Sequence, residues 1–332
     1  MFGHKRLISI LNNSSLINKK RGSKMKILIY GAGIQGNYLA HSLNKNKKND
    51  ITLLARGKNK QSIDQYGVKL NHTIQHKITV DHFKTIETLE KNDYYDLIFV
   101  TMKYSDFNSI VEPISRNNSA VVVFVGNQMD TEALKLSILE KNPNKTVLFG
   151  FQNTGGVRKD EVIKILRING GNMKIDITKN RSKITTLLDN VFQKTHYRWI
   201  AKPQLDNWLK SHAALIMVLN SLDYIYGNDA SKIKADKSML NITSKAFNEA
   251  FKILEDNGYP ITPKTQRILF GNPKIAKAIL KVVYSLPIMN SVQGNFREIS
   301  SISKSFIKFK NKSQTRTPNL DILLSTAETR ED

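Results

Sequence analysis

The chain has 332 residues, no cysteine and a formal net charge of +23 at pH 7. This length is typical of two domains, and the lack of cysteine excludes disulfides, thiolate catalysis and cysteine metal sites, so we expect a reducing, cytoplasmic setting. No apolar run reaches the roughly 18 residues that a membrane-spanning helix needs. The lysines are scattered along the chain without a nucleic-acid-binding motif, so the charge favours anionic small ligands over nucleic acid.

Residues 1–24 differ in composition from the rest of the chain. They carry six lysines and arginines, no acid and only a short apolar patch. A secretory signal would need a longer apolar core and a small-residue cleavage site. We therefore expect a disordered basic N-terminal extension here, and a targeting segment is the alternative.

From residue 25 onward, short apolar runs alternate with helical patterns. The runs KILIYGAG, DITLLARG, YDLIFVTMK, AVVVFVGNQ and KTVLFGFQNTGG are continuously apolar, which is typical of parallel strands buried on both faces. The segment VIKILRINGGNMKIDI predicts a hairpin-like pair of strands at the edge of the same sheet. Residues 25–195 are therefore predicted to form an α/β domain with a doubly wound parallel sheet.

Beyond about residue 200 the strand signal gives way to helical patterns. LDNWLKSHAALIMVLNSLDYIYG is apolar nearly all round in its second half, which predicts a buried helix. KSMLNITSKAFNEAFKILEDNGY is amphipathic, and PKTQRILFGNPKIAKAILKVVYSLP and REISSISKSFIKFKNKS are also helical in pattern. We expect a C-terminal all-α domain at residues 200–326.

Three glycines form the pattern G-x-G-x-x-G between the first strand and the first helix. In that frame the first glycine permits a tight turn, the second lets the backbone approach a pyrophosphate, and the third lets helix and strand pack closely. The helix N-terminus adds N–H groups and partial positive charge. The motif predicts a Rossmann-like dinucleotide site, and a tight turn without a ligand is the alternative. Its predicted cofactor-binding residues are Gly31, Ala32, Gly33, Ile34, Gln35 and Gly36.

Arg56 stands at the end of the second strand, twenty residues after Gly36. In an NAD site an acid at this place accepts a hydrogen bond from the ribose 2′-hydroxyl. A guanidinium can instead pair bidentately with a 2′-phosphate, which an acid would repel. Arg56 therefore predicts NADPH/NADP+ as the cofactor, and a surface arginine in a basic protein is the alternative.

These motifs resemble those of the ketopantoate reductases, or 2-dehydropantoate 2-reductases, from residue 25 to about residue 324. The glycine loop and Arg56 match the family's cofactor signature. VTMKYSD resembles its fourth-strand motif, which implies that Lys103 lies near the cofactor. VGNQMD resembles its asparagine turn, which implies that Asn127 contacts nicotinamide and substrate, and Gly156 in NTGGVRKD falls where the family's backbone contacts NADPH.

The helical half carries further residues of the resemblance. NWLKSHAAL resembles the family's W-x-K helix, which implies that Lys210 is the catalytic lysine and contacts substrate. Asn228, eighteen residues later, resembles a substrate-contacting asparagine. Glu298 precedes Pro318 by twenty residues, which resembles the spacing of the family's substrate-binding glutamate from a proline, and implies a catalytic and substrate-binding role for Glu298.

The substrate half also departs from the family pattern. The best-studied members carry asparagines four and eight residues after the lysine, where this chain has Ala214 and Val218. The family's GR-x-TEID segment around the glutamate reads GNFREIS here. The cofactor half is thus better preserved than the substrate half.

Reduction of a ketone by hydride produces an alkoxide, which an acid must protonate or a cation must stabilise. Desolvation lowers the pKa of a lysine, so a lysine at the start of a buried helix suits this step, and a snorkelling lysine is the alternative. Glu298 could accept from a substrate hydroxyl and pair with Lys210. His212 points away from Lys210 on the helix and is expected to be a core or seam histidine. The dispersed histidines predict no metal site.

The leading prediction is an NADPH-dependent oxidoreductase that reduces a small 2-keto acid, by default ketopantoate to pantoate. The hydride comes from nicotinamide C4 and the proton from Lys210. The resemblance implies a cytoplasmic monomer or homodimer of pantothenate and coenzyme A biosynthesis, without nucleic acid or stable membrane insertion. The alternatives are a reductase of another 2-keto acid, a non-catalytic NADPH-binding redox sensor, and a peripheral membrane or nucleic-acid binder using PKIAKAILKVVYSLP.

Overall fold

A computed structural model describes residues 23–167, 170–178, 182–286 and 296–330. Residues 1–22 of the extension predicted at residues 1–24 lie outside the described residues. The strands are β1 (Met25–Tyr30), β2 (Asn49–Leu54), β3 (Val68–His72), β4 (Lys77–Asp81), β5 (Lys84–Ile86), β6 (Leu97–Val100), β7 (Val121–Val125), β8 (Thr146–Gln152), β9 (Gly155–Lys159), β10 (Val162–Leu166), β11 (Asn172–Ile175) and β12 (Arg198–Ala201).

Helices follow half of the strands in the first part of the chain and make up nearly all of the last part. They are α1 (Ile34–Leu43), α2 (Gly57–Tyr66), α3 (Val111–Arg116), α4 (Thr131–Leu139), α5 (Lys183–Phe192), α6 (Leu205–Ile225), α7 (Ala230–Ala235), α8 (Lys237–Asp256), α9 (Lys264–Gly271), α10 (Pro273–Val283), α11 (Phe296–Lys310) and α12 (Pro318–Glu328). A short 3-10 helix covers Tyr104–Ile110. Within the described ranges, no helix is both long enough and apolar enough to cross a membrane.

The larger sheet has the strand order β12-β11-β8-β7-β6-β1-β2-β5. The six strands from β8 to β5 run parallel to one another, in the 3-2-1-4-5-6 order of a dinucleotide-binding sheet. At the other edge β11 is antiparallel to β8, and β12 is parallel to β11. The predicted Rossmann-like N-terminal fold with a helical C-terminal region is therefore confirmed. The sheet continues through β12, past the domain boundary predicted at residue 195.

A smaller sheet has the order β4-β3-β10-β9 and lies beside α1. The prediction that β10 and β11 form a hairpin-like pair at one sheet edge is wrong, because the two strands belong to different sheets. A turn at Asp160, with φ of +54°, pairs β10 with β9, and β3 pairs with its other side. Both edges of β10 are then occupied, so β11 pairs with β8 instead.

The helical part is built around α6, whose 21 residues span about 30 Å. Its middle residues Ala213, Ala214, Met217 and Val218 are fully buried against α8 and α12. This explains why the sequence is apolar nearly all round here: the helix is covered on most sides. Asp236 caps the first turn of α8 by accepting from the backbone N–H of Met239 at 2.8 Å.

The first turns of α6 attach the helical part to the larger sheet. Leu205 and Leu209 are buried in the same apolar cluster as the strand residue Phe149. The rings of Trp208 and His212 stack with centroids 4.9 Å apart. Both rings also contact Phe151 at the end of β8, at 4.5 and 4.7 Å. His212 is therefore a seam histidine, as its helix position suggests.

Enclosure of His212 by these aromatic rings predicts a pH-dependent loss of stability. Burial lowers the pKa of His212 to about 4, from 6.5 for an ordinary histidine. Between these values the unfolded chain takes up a proton that the folded chain refuses, so falling pH favours unfolding. We expect this residue to remove about 2–3 kcal/mol of unfolding free energy between pH 7 and pH 4.

Chemical denaturation at several pH values measures this effect. His212→Gln should flatten the pH dependence of the unfolding free energy relative to the wild type. His82→Gln, at an exposed position, should leave it unchanged. An unchanged slope in His212→Gln would contradict the assignment.

Candidate active site

The glycine loop joins β1 to α1 at the carboxyl edge of the larger sheet. Gly31 has φ of +113°, a conformation that side chains rarely adopt. A Cβ atom at Gly36 would overlap the carbonyl oxygen of Gly31 and lie 2.5 Å from Thr101 Oγ1. A Cβ atom at Gly33 would meet no protein atom within 4 Å. The loop is thus close-packed on its inner side and open at Gly33, where a pyrophosphate could approach.

The N-terminus of α1 is suited to an anion. Gly33 caps the helix without a side-chain hydrogen bond, and the first turn contains no acidic residue. Its backbone N–H groups and partial positive charge therefore face no competing carboxylate from this turn. The residues present fit a dinucleotide phosphate.

Arg56 is exposed at the start of α2, next to the glycine loop. Its Nε donates to the carbonyl oxygen of Glu87 at 3.1 Å, and its Nη2 donates to the Tyr30 hydroxyl at 3.4 Å. Burial raises the pKa of Tyr30, so the hydroxyl stays protonated and neutral beside the guanidinium. Lys103 follows β6 and is exposed, and its ammonium makes no hydrogen bond or ion pair with the described residues. Both cations are placed where they could reach a bound dinucleotide.

Strand β9 brings Gly156 against the first turn of α1. A Cβ atom at Gly156 would lie 2.6 Å from the carbonyl oxygen of Lys164 and 2.9 Å from Ile34 Cγ2. Gln35 Nε2 donates to the carbonyl oxygen of Thr154 at 2.5 Å. These contacts hold the small sheet against the glycine loop. The predicted contact of Gly156 with the cofactor stays a prediction.

Arg158 and Asn59 are site residues that the sequence reasoning missed. The carbonyl oxygen of Ala32, inside the glycine loop, accepts from Asn37 Nδ2 at 2.8 Å, Asn59 Nδ2 at 2.9 Å and Arg158 Nη2 at 3.2 Å. Arg158 Nη1 also donates to Asn59 Oδ1 at 2.7 Å. Arg158 stands 126 positions from Ala32, so spacing gave no signal. Its place two residues after Gly156 was the only indication.

Asn127 and Glu298 come together at the carboxyl end of β7. Asn127 Nδ2 donates to Glu298 Oε1 at 2.7 Å. Asn127 Oδ1 and both amide atoms of Gln128 are buried and have no hydrogen-bond partner among the described residues. A buried amide without a partner costs about 1–3 kcal/mol, so such groups are typical of places where a ligand or water completes the bonding. Gln128 was also missed.

Lys210 belongs to a different cluster. Its ammonium donates to both carboxylate oxygens of Asp206 at 2.5 Å and lies 4.5 Å from the centre of the Tyr259 ring. Asp206 also accepts from Thr131 Oγ1 at 2.6 Å, which ties α6 to the start of α4. The expected pair between Lys210 and Glu298 is not formed, since the hydrogen bonds of Lys210 go to Asp206.

The separation of the two clusters follows from α11. Lys308 lines the same cavity of about 530 Å³ as Lys210. Glu298 lies ten residues before Lys308 on α11, which places the two residues about 15 Å apart along the helix axis. Asn228 lies beyond the far end of α6, about 22 Å or more from Lys210 along that helix. The Tyr224 ring, at that far end, packs 5.2 Å from Phe296, so this is the end of α6 nearer to Glu298.

No metal-binding group is evident in the described part of the chain. None of its histidine, aspartate and glutamate side chains form a set of three or more that could hold a metal ion.

Comparison with known proteins gives a family match for part of the chain. Residues 27–179 match the family model of the ketopantoate reductase PanE/ApbA. No curated protein sequence matches the chain at a significant level.

Solved structures extend the similarity over nearly the whole chain. A PanE/ApbA family ketopantoate reductase from Ralstonia eutropha JMP134 is 15% identical with a TM-score of 0.72, covering 93% of this chain and 99% of that one. A D-mandelate dehydrogenase with NADH and anilino(oxo)acetate is 16% identical with a TM-score of 0.70, covering 93% and 98%. A dimeric ketopantoate reductase from Staphylococcus aureus is 13% identical with a TM-score of 0.66, covering 92% and 98%.

At these identities the solved structures show a shared fold alone. The family model is a match to the sequence itself, over residues 27–179. The resemblance predicted from the motifs is thereby confirmed. The chain is therefore similar to the ketopantoate reductase PanE/ApbA family over residues 27–179, and proteins of this family are oxidoreductases that use NAD(P)H.

Proposed function

We propose that the chain is an NADPH-dependent reductase of a small 2-keto acid. The observation that carries the proposal is a group of buried amide atoms at Asn127 and Gln128 that have no hydrogen-bond partner in the described part of the chain. They lie beside Glu298, at the same sheet edge as the glycine loop. A substrate carboxylate or a nicotinamide carboxamide has the donors and acceptors to complete these bonds. The cofactor domain would begin at Met25, and the helical substrate domain would begin with α6.

The cofactor half of the proposal is supported by the glycine loop and by Arg56. The open space at Gly33 and the uncapped start of α1 suit the pyrophosphate, and Arg56 stands where a 2′-phosphate would lie. Bound NADPH would supply the hydride. Lys103 and the backbone of Gly156 would add contacts along the dinucleotide.

The substrate half assigns separate tasks to this chain's residues. Asn127 would orient the substrate carboxylate or the carboxamide, and Glu298 would accept from the hydroxyl that forms. We retain Lys210 as the proton donor because its helix resembles that of the family. Its ammonium is held by Asp206, so donation would require α6 and the Asn127 site to approach each other, as in a closing cleft.

The apolar core of the helical part bears on which substrate side chain the protein could accept. Ala214 and Val218 are fully buried among apolar residues of α8 and α12, so neither offers a polar contact. Ketopantoate is the default, in a cytoplasmic pathway to pantothenate and coenzyme A. An aromatic or branched 2-keto acid is the second candidate, which the fold shared with a D-mandelate dehydrogenase favours. A homodimer is proposed by analogy with the dimeric relative.

Oxidation of NADPH in the presence of ketopantoate, phenylglyoxylate and branched 2-keto acids tests the proposal directly. We expect turnover with at least one of them, and Asn127→Ala should lower kcat/KM by about 100-fold because it removes a positioning amide. Asn118→Ala, an exposed asparagine before β7, is the matched control. Tight NADPH binding without turnover of any keto acid would favour the redox-sensor alternative.

The proposed role of Lys210 as proton donor can be tested separately from its structural role in the ion pair with Asp206. If it donates the proton, Lys210→Met should lower kcat by about 100-fold or more, whereas Lys210→Arg should keep the fold but not the donor. Asp206→Ala leaves the ammonium buried without a carboxylate and should lower the unfolding free energy by about 2–4 kcal/mol. A Lys210→Met variant that is folded and fully active would remove Lys210 from the mechanism.

The glycine loop gives a paired test of cofactor binding. Gly36→Ala should destabilise the fold by about 1–3 kcal/mol, because its Cβ overlaps the Gly31 carbonyl. Gly33→Ala should leave stability almost unchanged, yet weaken NADPH binding about 10-fold or more, because its Cβ occupies the space of the pyrophosphate. Denaturation and fluorescence titration measure the two effects. Undiminished NADPH binding by Gly33→Ala would contradict the assigned site.

A further inference from the structure

Arg158 is a cation held at the glycine loop by neutral partners alone. It lies on β9 of the small sheet, and its guanidinium donates to Asn59 Oδ1 at 2.7 Å and to the carbonyl oxygen of Ala32 at 3.2 Å. Among the described residues, no carboxylate forms an ion pair with it. Partial burial lowers the pKa of the Arg158 guanidinium, yet an arginine stays charged in proteins. A partly desolvated cation without a counter-charge is a favourable partner for an anion.

Asn59 holds the Arg158 side chain on one side of the glycine loop. Arg56 lies on that same side. Asn59 lies in the first turn of α2, three residues after Arg56, and its Nδ2 donates to the same Ala32 carbonyl at 2.9 Å. Its amide therefore bridges the loop and the guanidinium. Arg56 uses Nε and Nη2 for neutral acceptors, and its Nη1 has no partner among the described residues. Two arginines from different sheets thus border the space between the glycine loop and α2.

That space is where an adenosine ribose lies in a dinucleotide-binding sheet, because the residue at the end of the second strand contacts the ribose 2′ position. A 2′-phosphate carries close to two negative charges and three acceptor oxygens. If Arg56 alone bound this phosphate, part of the negative charge would be balanced only by solvent. A second guanidinium from β9 could pair with the oxygens that Arg56 does not reach.

We propose that Arg158, positioned by Asn59, is the second arginine of a two-sided clamp for the 2′-phosphate of NADPH. The inference rests on the proposed function and deepens it, since it assigns the choice of NADPH over NADH to the small sheet as well as to the end of β2. Arg158 would then be a specificity residue that contacts the cofactor, and Asn59 a positioning residue.

The test compares the dissociation constants of NADPH and NADH by fluorescence titration of the full chain. Arg158→Gln should weaken NADPH binding by about 10- to 100-fold, the effect of losing a charge-assisted hydrogen-bond pair. NADH, which lacks the 2′-phosphate, should change by less than about 3-fold on the same reasoning. Lys159→Gln is the matched control: it makes the same charge change at the next residue of β9, on the opposite face of the strand.

A second variant keeps the inference testable should Arg158→Gln fold poorly. Asn59→Asp places a carboxylate against Arg158 and beside the proposed 2′-phosphate. It should lower the affinity for NADPH while leaving or improving that for NADH, and thermal unfolding should show a folded protein.

Three outcomes overturn the inference in distinguishable ways. Equal losses of NADPH and NADH affinity in Arg158→Gln would place the arginine at the pyrophosphate or in loop structure. No loss of either would remove it from the site. In both cases the proposed function stands, whereas a wild-type protein that binds neither cofactor would overturn the proposed function and this inference with it.

Discussion

The packing of α1 against the turn that follows β1 fixes the position of the cofactor-binding part of the candidate site. Gly36 has no side chain, so the helix lies on the carbonyl of Gly31, whose oxygen accepts from Thr101 Oγ1 at 2.7 Å. This sets the N-terminus of α1 over the carboxyl edge of the sheet. Gly156 of β9 can then pack on Ile34, which brings Arg158 to the Ala32 carbonyl. A bulkier residue at position 36 would displace all of these contacts together.

The helical part attaches to the larger sheet and the loops that follow its strands through two kinds of contact. Aromatic rings from α6 pack on Phe151 at the end of β8 and form an apolar seam there. Along α11 the contacts are polar instead: Asn127 with Glu298, Tyr104 with Ser305, and Asp130 with Lys308. Polar contacts of this kind can exchange for water at little cost, whereas Ile302 and Phe306 on the same helix are buried in the apolar core of the helical part.

The distribution of polar groups divides the predicted site in two. At the carboxyl edge of the sheet, Asn127 Oδ1 and both amide atoms of Gln128 are buried without a hydrogen-bond partner among the described residues, so a ligand could bond to them. Around Lys210 the opposite holds, because Asp206 satisfies the ammonium from one helical turn away. A buried cation that is already paired is costly to release, since breaking such a pair leaves a charge without compensation. The chemistry assigned to Lys210 therefore depends on a movement of the helical part, whereas binding at Asn127 does not.

The sequence by itself determined the alternation of buried strands and helices, the glycine loop and the place of Arg56, because these depend on residues close together in the chain. Continuous apolar runs identified five of the six parallel strands, and the spacing of Gly31, Gly33 and Gly36 identified the turn. Tertiary structure alone decided which distant side chains meet. It assigned β10 and β11 to different sheets, because β9 and β3 had filled both edges of β10. It joined Asn127 to Glu298, which are 171 positions apart, and the length of α11 keeps this pair away from Lys210. It also brought Arg158 to a loop 126 positions earlier, which no local pattern could show, since that contact depends on how the small sheet packs against α1.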